Sequence, residues 1–300
     1  MNSQHVLVSG ASGFIGAALL PALRERGYSV TRLVRGPVTG ADQVTWNPSK
    51  TVPPDYVSGF NAVIHLSGEA IVGRWTEAKK RRIIESRVQA TTHLAEALAK
   101  APQQPQVFVS ASAIGYYGDH GDEILKEESS SGSSFLSEVC RQWEAGSKPA
   151  TDAGIRTLQM RFGVVLSAKG GALEKMLLPF RLGVGGRLGN GRQWMSWVAL
   201  DDVVGAIQHA LANASLQGPV NTVAPNPVTN IDFTKALAVT LKRPAIFPMP
   251  AFAVRIVFGE MGEELFLASE RVVPAKLSAT GYQFKYPELT RALAAILHRN

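Results

Sequence analysis

The chain has 300 residues, 45% hydrophobic and 18% charged, which excludes a disordered or collagen-like chain and leaves room for one large α/β domain or two smaller ones. Its formal charge of +7 comes from basic residues scattered along the sequence. Nucleic acid is therefore not expected as a partner, and a phosphorylated ligand is the more economical use of the excess. Cys140 is the single cysteine, which excludes an internal disulfide and fits a reducing compartment.

The opening MNSQHVLVSG has no basic segment ahead of a long apolar one, so no secretory signal is expected. No apolar run reaches the roughly 18–20 residues of a bilayer span. A cytoplasmic location without a membrane partner is the expectation. In chain order, His5–Ser9 reads as a β-rich apolar strand. Residues 14–26 show helical spacing through Ile15, Leu19, Leu20 and Leu23, closed by Gly27. Ser29–Val34, 44–46 and 62–66 read as further strands, and 76–100 as a long helix stopped by Ala101-Pro102. A strand at 107–110, a helix at 134–152 and a strand at 157–162 complete the first half. Strand–helix alternation with short connections predicts a parallel sheet covered on both faces.

After about residue 165 the pattern changes. The stretch 166–192 is rich in Gly and basic residues, with a short helix expected at 172–180. Helices at 201–213 and 229–241 flank a strand at 220–223, and Thr229 is a good cap residue. From Pro248 onward the sequence reads mostly as helix, ending in 287–298. The expected fold is an α/β Rossmann-type doubly wound sheet with a smaller, mostly helical C-terminal substrate region. The boundaries are 1–165, with later sheet elements from 194–224, then 166–247 on the substrate side and 248–300 as a small C-terminal domain.

The segment Gly10-Ala11-Ser12-Gly13-Phe14-Ile15-Gly16 follows a strand and opens a helix. In such a turn the first glycine permits the bend, the second lets the backbone approach a pyrophosphate, and the third lets helix and strand pack. The helix start then offers unpaired N–H groups to phosphate. Gly10, Ser12, Gly13, Phe14, Ile15 and Gly16 are thus expected to hold a dinucleotide. An NAD-selective site places a carboxylate near the end of the next strand. Here that strand ends Leu33-Val34-Arg35 with no acid, so Val34 and Arg35 predict NADP, with the guanidinium on the 2′-phosphate. Leu66, Ser67 and Gly68 follow the strand at 62–66, at an edge where doubly wound sheets bind ligands.

The glycine turn, Val63-Ile64-His65-Leu66-Ser67-Gly68-Glu69, the run from Val109 through Ser110, Ala111, Ser112, Ala113, Ile114 and Gly115 to Tyr116-Tyr117-Gly118, and Trp197-Val198-Ala199-Leu200-Asp201-Asp202-Val203 resemble the extended and atypical short-chain dehydrogenases/reductases. Narrower blocks are Arg74-Trp75, Glu85-Ser86-Arg87, Gly163-Val164-Val165-Leu166, Leu177-Leu178-Pro179-Phe180 and Gly189-Asn190-Gly191-Arg192-Gln193. They resemble the epimerase-family proteins of the short-chain dehydrogenase family 39U type. That group carries a small C-terminal domain of unknown role, which the segment with Gly281-Tyr282-Gln283-Phe284 resembles. The resemblance covers nearly the whole chain and implies an NADP(H)-binding oxidoreductase or nucleotide-sugar-epimerase-like protein. It implies Arg87 as a cofactor contact and Ser112 as the serine that meets the reacting oxygen. Arg161, at the end of the strand at 157–162, is expected on cofactor or substrate.

Most catalytic members of that superfamily carry Tyr-x-x-x-Lys on one helical face, where the lysine charge and the cofactor lower the tyrosine pKa for proton transfer. Here Phe135 and Val139 fall at those positions, and the chain contains no Tyr-x-x-x-Lys. Tyr116 or Tyr117 could supply the phenol from another direction. Arg181, Arg187, Arg192, Gln193 and Trp194 suggest a cleft for a small-molecule substrate, polar or anionic. The histidines show no ligand spacing, so no metal is expected. A homodimer and a non-catalytic NADP(H) sensor both stay open.

Overall fold

The structure, a computed structural model, describes residues 4–298. Strand β1 (His5–Ser9) leads through the glycine turn into helix α1 (Phe14–Glu25), followed by β2 (Ser29–Val34), β3 (Gln43–Thr45), β4 (Ala62–His65) and α2 (Glu77–Lys100). Then come β5 (Val107–Ala113), β6 (Ile124–Leu125), α3 (Phe135–Ala145), α4 (Lys148–Asp152) and β7 (Arg156–Phe162). The second half holds β8 (Val164–Ser167), α5 (Gly171–Arg181), β9 (Trp194–Met195), β10 (Trp197–Ala199), α6 (Leu200–Ala212) and β11 (Gly218–Thr222). It closes with β12 (Val228–Thr229), α7 (Asn230–Leu241), α8 (Ala251–Gly262), β13 (Arg271–Val272), α9 (Ala275–Ala279) and α10 (Leu289–Leu297).

Seven strands form one parallel sheet in the order β11-β7-β5-β4-β1-β2-β3. The winding reverses between β1 and β4, so a crevice opens where Ser9-Gly10 and His65-Leu66 leave the sheet, the place where such sheets bind ligands. Strand pleating divides the core. Val6 and Val8 join Leu19 and Leu23 of α1 and Val203 and Ile207 of α6 on one face. Leu7, Val63 and Phe108 meet Ala90, Leu94 and Leu98 of α2 on the other. A third cluster, with Leu173, Leu177, Trp197, Phe233 and Leu293, joins α5, α7 and α10 into a unit beside the sheet.

One expectation is corrected. The helix expected at 134–152 is two helices: α3 ends at its cap, Gly146, and α4 starts after Ser147 with Pro149, which has no N–H, in its first turn. The segment after Pro248 is mostly helical, and its short strand β13 pairs in parallel with β6 and ties it to the loop after β5. Helix α8 is also interrupted at Gly259, whose φ of 59° and ψ of −143° are not helical.

Candidate cofactor cleft

The glycine turn is built for close backbone approach. Gly10 has a φ of +69°, and a Cβ there would lie 2.6 Å from the Leu66 carbonyl carbon and 2.8 Å from the Ser67 nitrogen. A Cβ at Gly16 would sit 2.3 Å from the Gly10 carbonyl oxygen. Gly13 caps α1 with no side-chain hydrogen bond, and the first turn contains no acidic residue. Ser12 and Gly13 are exposed. The first N–H groups of α1 are therefore unshielded by any side chain, and the backbone leaves a cradle that a dinucleotide pyrophosphate fits. Phe14 packs over Gly170 and Gly171 at the start of α5, joining the turn to the second unit.

Along β2 the two arginines differ. The Arg32 guanidinium donates to both Asp42 carboxylate oxygens at 2.8 and 3.1 Å, and Arg24 joins from α1 at 3.1 Å. Arg32 and Arg24 together hold the Asp42 carboxyl below its ordinary pKa. Arg35 follows Val34, is exposed, and has no ion pair among the described residues. The Asp42 carboxylate beside this strand is thus already paired, while Arg35 has no ion pair among the described residues.

At the end of β4, His65 is fully buried, with Nδ1 2.6 Å from the Ser9 hydroxyl and Nε2 unpartnered. Burial pushes its pKa down to about 4, so the ring is neutral. Beyond it, Arg87 from α2 donates to the Glu69 carbonyl at 2.9 Å and the Ile83 carbonyl at 3.2 Å. Its guanidinium lies 5.0 Å from the Trp143 ring centroid. A Cβ at Gly68 would touch the same guanidinium at 3.4 Å. Leu66, Ser67, Gly68 and Arg87 therefore converge beside Gly10. Glu69 is tied down by Lys79 at 2.7 Å, which holds its carboxyl below the ordinary range.

The residues expected to handle the proton are placed differently. Ser112 is buried and donates to Glu144 at 2.7 Å. Glu144 in turn receives two 2.8 Å hydrogen bonds from Arg161. Arg161 is 2% exposed and also donates to the Tyr117 hydroxyl at 2.9 Å, which donates to Asn221 at 2.7 Å. Burial opposes the Arg161 charge, but Glu144 more than offsets this and holds its pKa above the ordinary value. Tyr117 is fully buried, and burial drives its phenol up to about 12 against the pull of Arg161. Ser112, Tyr117 and Arg161 thus form one interior network with Glu144 and Asn221. Tyr116 differs: its ring lies 3.5 Å from the Arg161 guanidinium carbon, and its hydroxyl has no hydrogen-bond partner among the described residues.

Phe135, at the usual tyrosine position, packs against Trp75 with ring centroids 5.1 Å apart, and Val139 is buried. Cys140 is buried and its thiol is pushed up to about 12 by burial and by Glu144, so it is not a nucleophile. In the glycine-rich segment, Arg181, Arg187 and Arg192 are exposed. Gln193 instead donates to the Leu188 and Phe266 carbonyls, and Trp194 donates to Asp122 at 2.7 Å. Gln193 through Phe266, and Trp194 through its backbone N–H to the Ser269 hydroxyl at 3.0 Å, hold the C-terminal segment in place. Among the described residues no cluster of His, Cys, Asp or Glu could hold a metal ion.

Residues that the sequence reading missed come from that segment. Glu264 caps α3: its carboxylate accepts from Ser134 Oγ at 2.9 Å, Phe135 N at 3.0 Å and Leu136 N at 2.8 Å. Glu260 pairs with Lys80 of α2. Glu270 lies beside Asp119 and Glu264, and burial drives its carboxyl up to about 8. Glu264 and Glu270, with Glu263, Gly115 and Leu136, surround a cavity of about 260 Å³ next to α3. No local motif marks a carboxylate that caps a helix 130 residues earlier.

A parallel sheet with its winding reversed at a glycine cradle, followed by an unshielded helix start, defines the class of dinucleotide-binding doubly wound proteins. Within that class the chain belongs to the NAD dependent epimerase/dehydratase family, which residues 6–223 match. Residues 249–296 match a domain of unknown function, DUF1731. The chain is 40% identical over 295 residues to Epimerase family protein Mb2239 of Mycobacterium bovis, covering 98% of this chain and 97% of that one. It is 38% identical over 297 residues to human Epimerase family protein SDR39U1, covering 98% and 99%. A crystal structure of the human protein with NADPH superposes with a TM-score of 0.91 at 36% identity, covering 99% of this chain and 100% of that one. A nucleoside-diphosphate sugar epimerase from Corynebacterium glutamicum gives 0.82 at 38% identity, covering 98% of this chain and 58% of that one.

Proposed function

We propose that the chain binds NADP(H) in the cleft between β1 and β4 and acts as an epimerase-like oxidoreductase on a small polar substrate. The observation that carries this reading is the exposed Arg35, without an ion pair among the described residues, just past a strand β2 that carries no carboxylate. Gly10, Gly13 and Gly16 bring backbone to the pyrophosphate, and the α1 N–H groups receive its charge. Val34 and Arg35 meet the adenosine ribose and its 2′-phosphate. Leu66, Ser67, Gly68 and Arg87 line the next part of the cleft, with Arg87 supplying a fixed cation where α3 offers Val139 in place of a lysine. When bound, NADP(H) supplies a hydride donor or acceptor at nicotinamide C4.

Among Ser112, Tyr116 and Tyr117, only Tyr116 keeps a hydroxyl without a protein partner, and it is the residue assigned to proton transfer. Arg161 and Glu144 fix its ring and do not meet the cofactor. Exposed Arg181, Arg187 and Arg192 give the substrate wall its preference for anionic groups. A second reading, a non-catalytic NADP(H) sensor, is favoured by the engagement of Ser112 and Tyr117 inside the network.

Calorimetric titration separates the claims. NADPH is expected to bind more tightly than NADH, with the difference abolished in Arg35→Ala; equal affinities in the parent chain reject the 2′-phosphate role. Hydride exchange with candidate sugar or keto substrates that persists unchanged in Tyr116→Phe rejects the proton assignment. NADPH binding with no exchange on any substrate favours the sensor.

A further inference from the structure

Among the described residues, thirteen large apolar side chains are exposed, and nine of them fall between residues 178 and 257. Leu178 and Leu182, one helical turn apart at the end of α5, are 66% and 68% exposed. Phe252 and Ile256, equally spaced on α8, are 65% and 78% exposed. Residues four apart share a helix face. The two helices are joined where residues 182–189 run alongside 244–249: Phe247 N donates to the Gly185 carbonyl at 3.3 Å and Met249 N to the Arg187 carbonyl at 2.9 Å. Val239 of α7, 78% exposed, borders the same junction above a groove of about 400 Å³ lined by Lys235, Lys242 and Arg243.

The charge of these segments is mainly basic. Residues 174–200 contain Lys175, Arg181, Arg187 and Arg192 against Glu174, and residues 232–260 contain Lys235, Lys242, Arg243 and Arg255 against Asp232 and Glu260, of which Glu260 pairs with Lys80. Arg255 is paired with Glu263 at 3.0 Å; Lys235, Lys242 and Arg243 have no ion pair among the described residues. An apolar face bordered by unpaired cations is costly to leave in water. A second copy of the same face is a poor cover, because two-fold pairing would set its cations against their own copies.

We propose that this basic-apolar face seats the protein on an anionic lipid bilayer surface. Leu178, Leu182, Phe252 and Ile256 enter the headgroup–acyl boundary, while Lys235, Lys242 and Arg243 meet lipid phosphate. Such contact needs no spanning segment, and no described helix is long and apolar enough to cross a membrane. The expectation of no membrane partner drew on spans alone. None of these residues belongs to the cofactor cleft.

The test is flotation of the full-length chain with phosphatidylcholine vesicles, alone or with about a third phosphatidylglycerol, at about 0.05 and about 0.5 M salt. The expected result is flotation with the anionic vesicles at low salt, weakened at least about tenfold in K242E/R243E and in F252S/I256S. NADPH titration and thermal melts of both variants should match the parent, which shows that they fold. Absence of flotation, equal flotation on neutral vesicles, or flotation indifferent to both variants overturns the proposal. So does a dimer by light scattering that F252S/I256S dissolves, since a second copy would then cover the face.

Discussion

The buried pair between Arg161 and Glu144 organises the interior below the cleft, with side chains 2% and 11% exposed. Removing one partner of a buried ion pair strands the other, at a cost of about 3–5 kcal/mol, whereas replacing both by apolar groups costs far less. Arg161→Met alone is therefore expected to lower stability by that amount in urea melts, and Arg161→Met with Glu144→Leu to recover most of it. Equal losses in the single and double variants would show that the pair is not coupled. Gly16→Ala tests the cradle, since its Cβ would fall 2.3 Å from a backbone oxygen; NADPH binding should be lost while far-UV dichroism is retained. At this scale the sequence was informative where chemistry is local. Three glycines and Arg35 lie within 26 positions, so the turn and the cofactor preference could be read directly. Ser112, Tyr117 and Arg161 could not be placed, because β5, the following loop, α3 and β7 all converge on their network.

Helix α3 occupies the place of the usual catalytic helix but is used structurally. Ser134 caps it, its side chain accepting from Ser137 N, and Glu264 supplies a carboxylate to the same positive end. A carboxylate at a helix N-terminus, with direct bonds to the backbone, contributes about 1–2 kcal/mol. Glu264→Ala is expected to lose roughly that in denaturant midpoint and to speed amide exchange in the first turn of α3 and in residues 249–270 together. Faster exchange in only one of the two segments would mean that they are not held by this contact. Periodicity located most elements to within a residue or two, Thr229 as a cap included. It failed at 134–152 because Gly146, Ser147 and Pro149 break the helix within a pattern that stays apolar on one face. The strand pair β6–β13 is only two residues long on each side, too short to produce an alternation.

Across the whole molecule, buried His65 and half-buried Glu270 set opposite limits on stability. The His65 pKa is depressed from 6.5 to about 4, so the unfolded chain binds a proton that the folded one refuses, and stability falls as pH drops through that window. The Glu270 pKa is raised from 4.5 to about 8, so the folded chain keeps a proton that the unfolded one releases, and stability falls as pH rises from 4.5 to 8. Between pH 6.5 and 8 only the second effect acts. The melting temperature should decline there in the parent chain, less so in Glu270→Gln, and His65→Gln should flatten only the acid side. A Glu270→Gln profile parallel to the parent between pH 6.5 and 8 would reject the assignment. Glu270 belongs to a segment whose contacts also have a consequence in time. Six of the seven sheet strands, the glycine turn and α3 are all made before residue 200, yet the carboxylate that caps α3 is 130 residues further along the chain. At about 5–20 residues per second, synthesis needs roughly 7–25 seconds more to reach it. The growing polypeptide therefore passes through an interval in which the cofactor turn exists and the clasp on α3 does not.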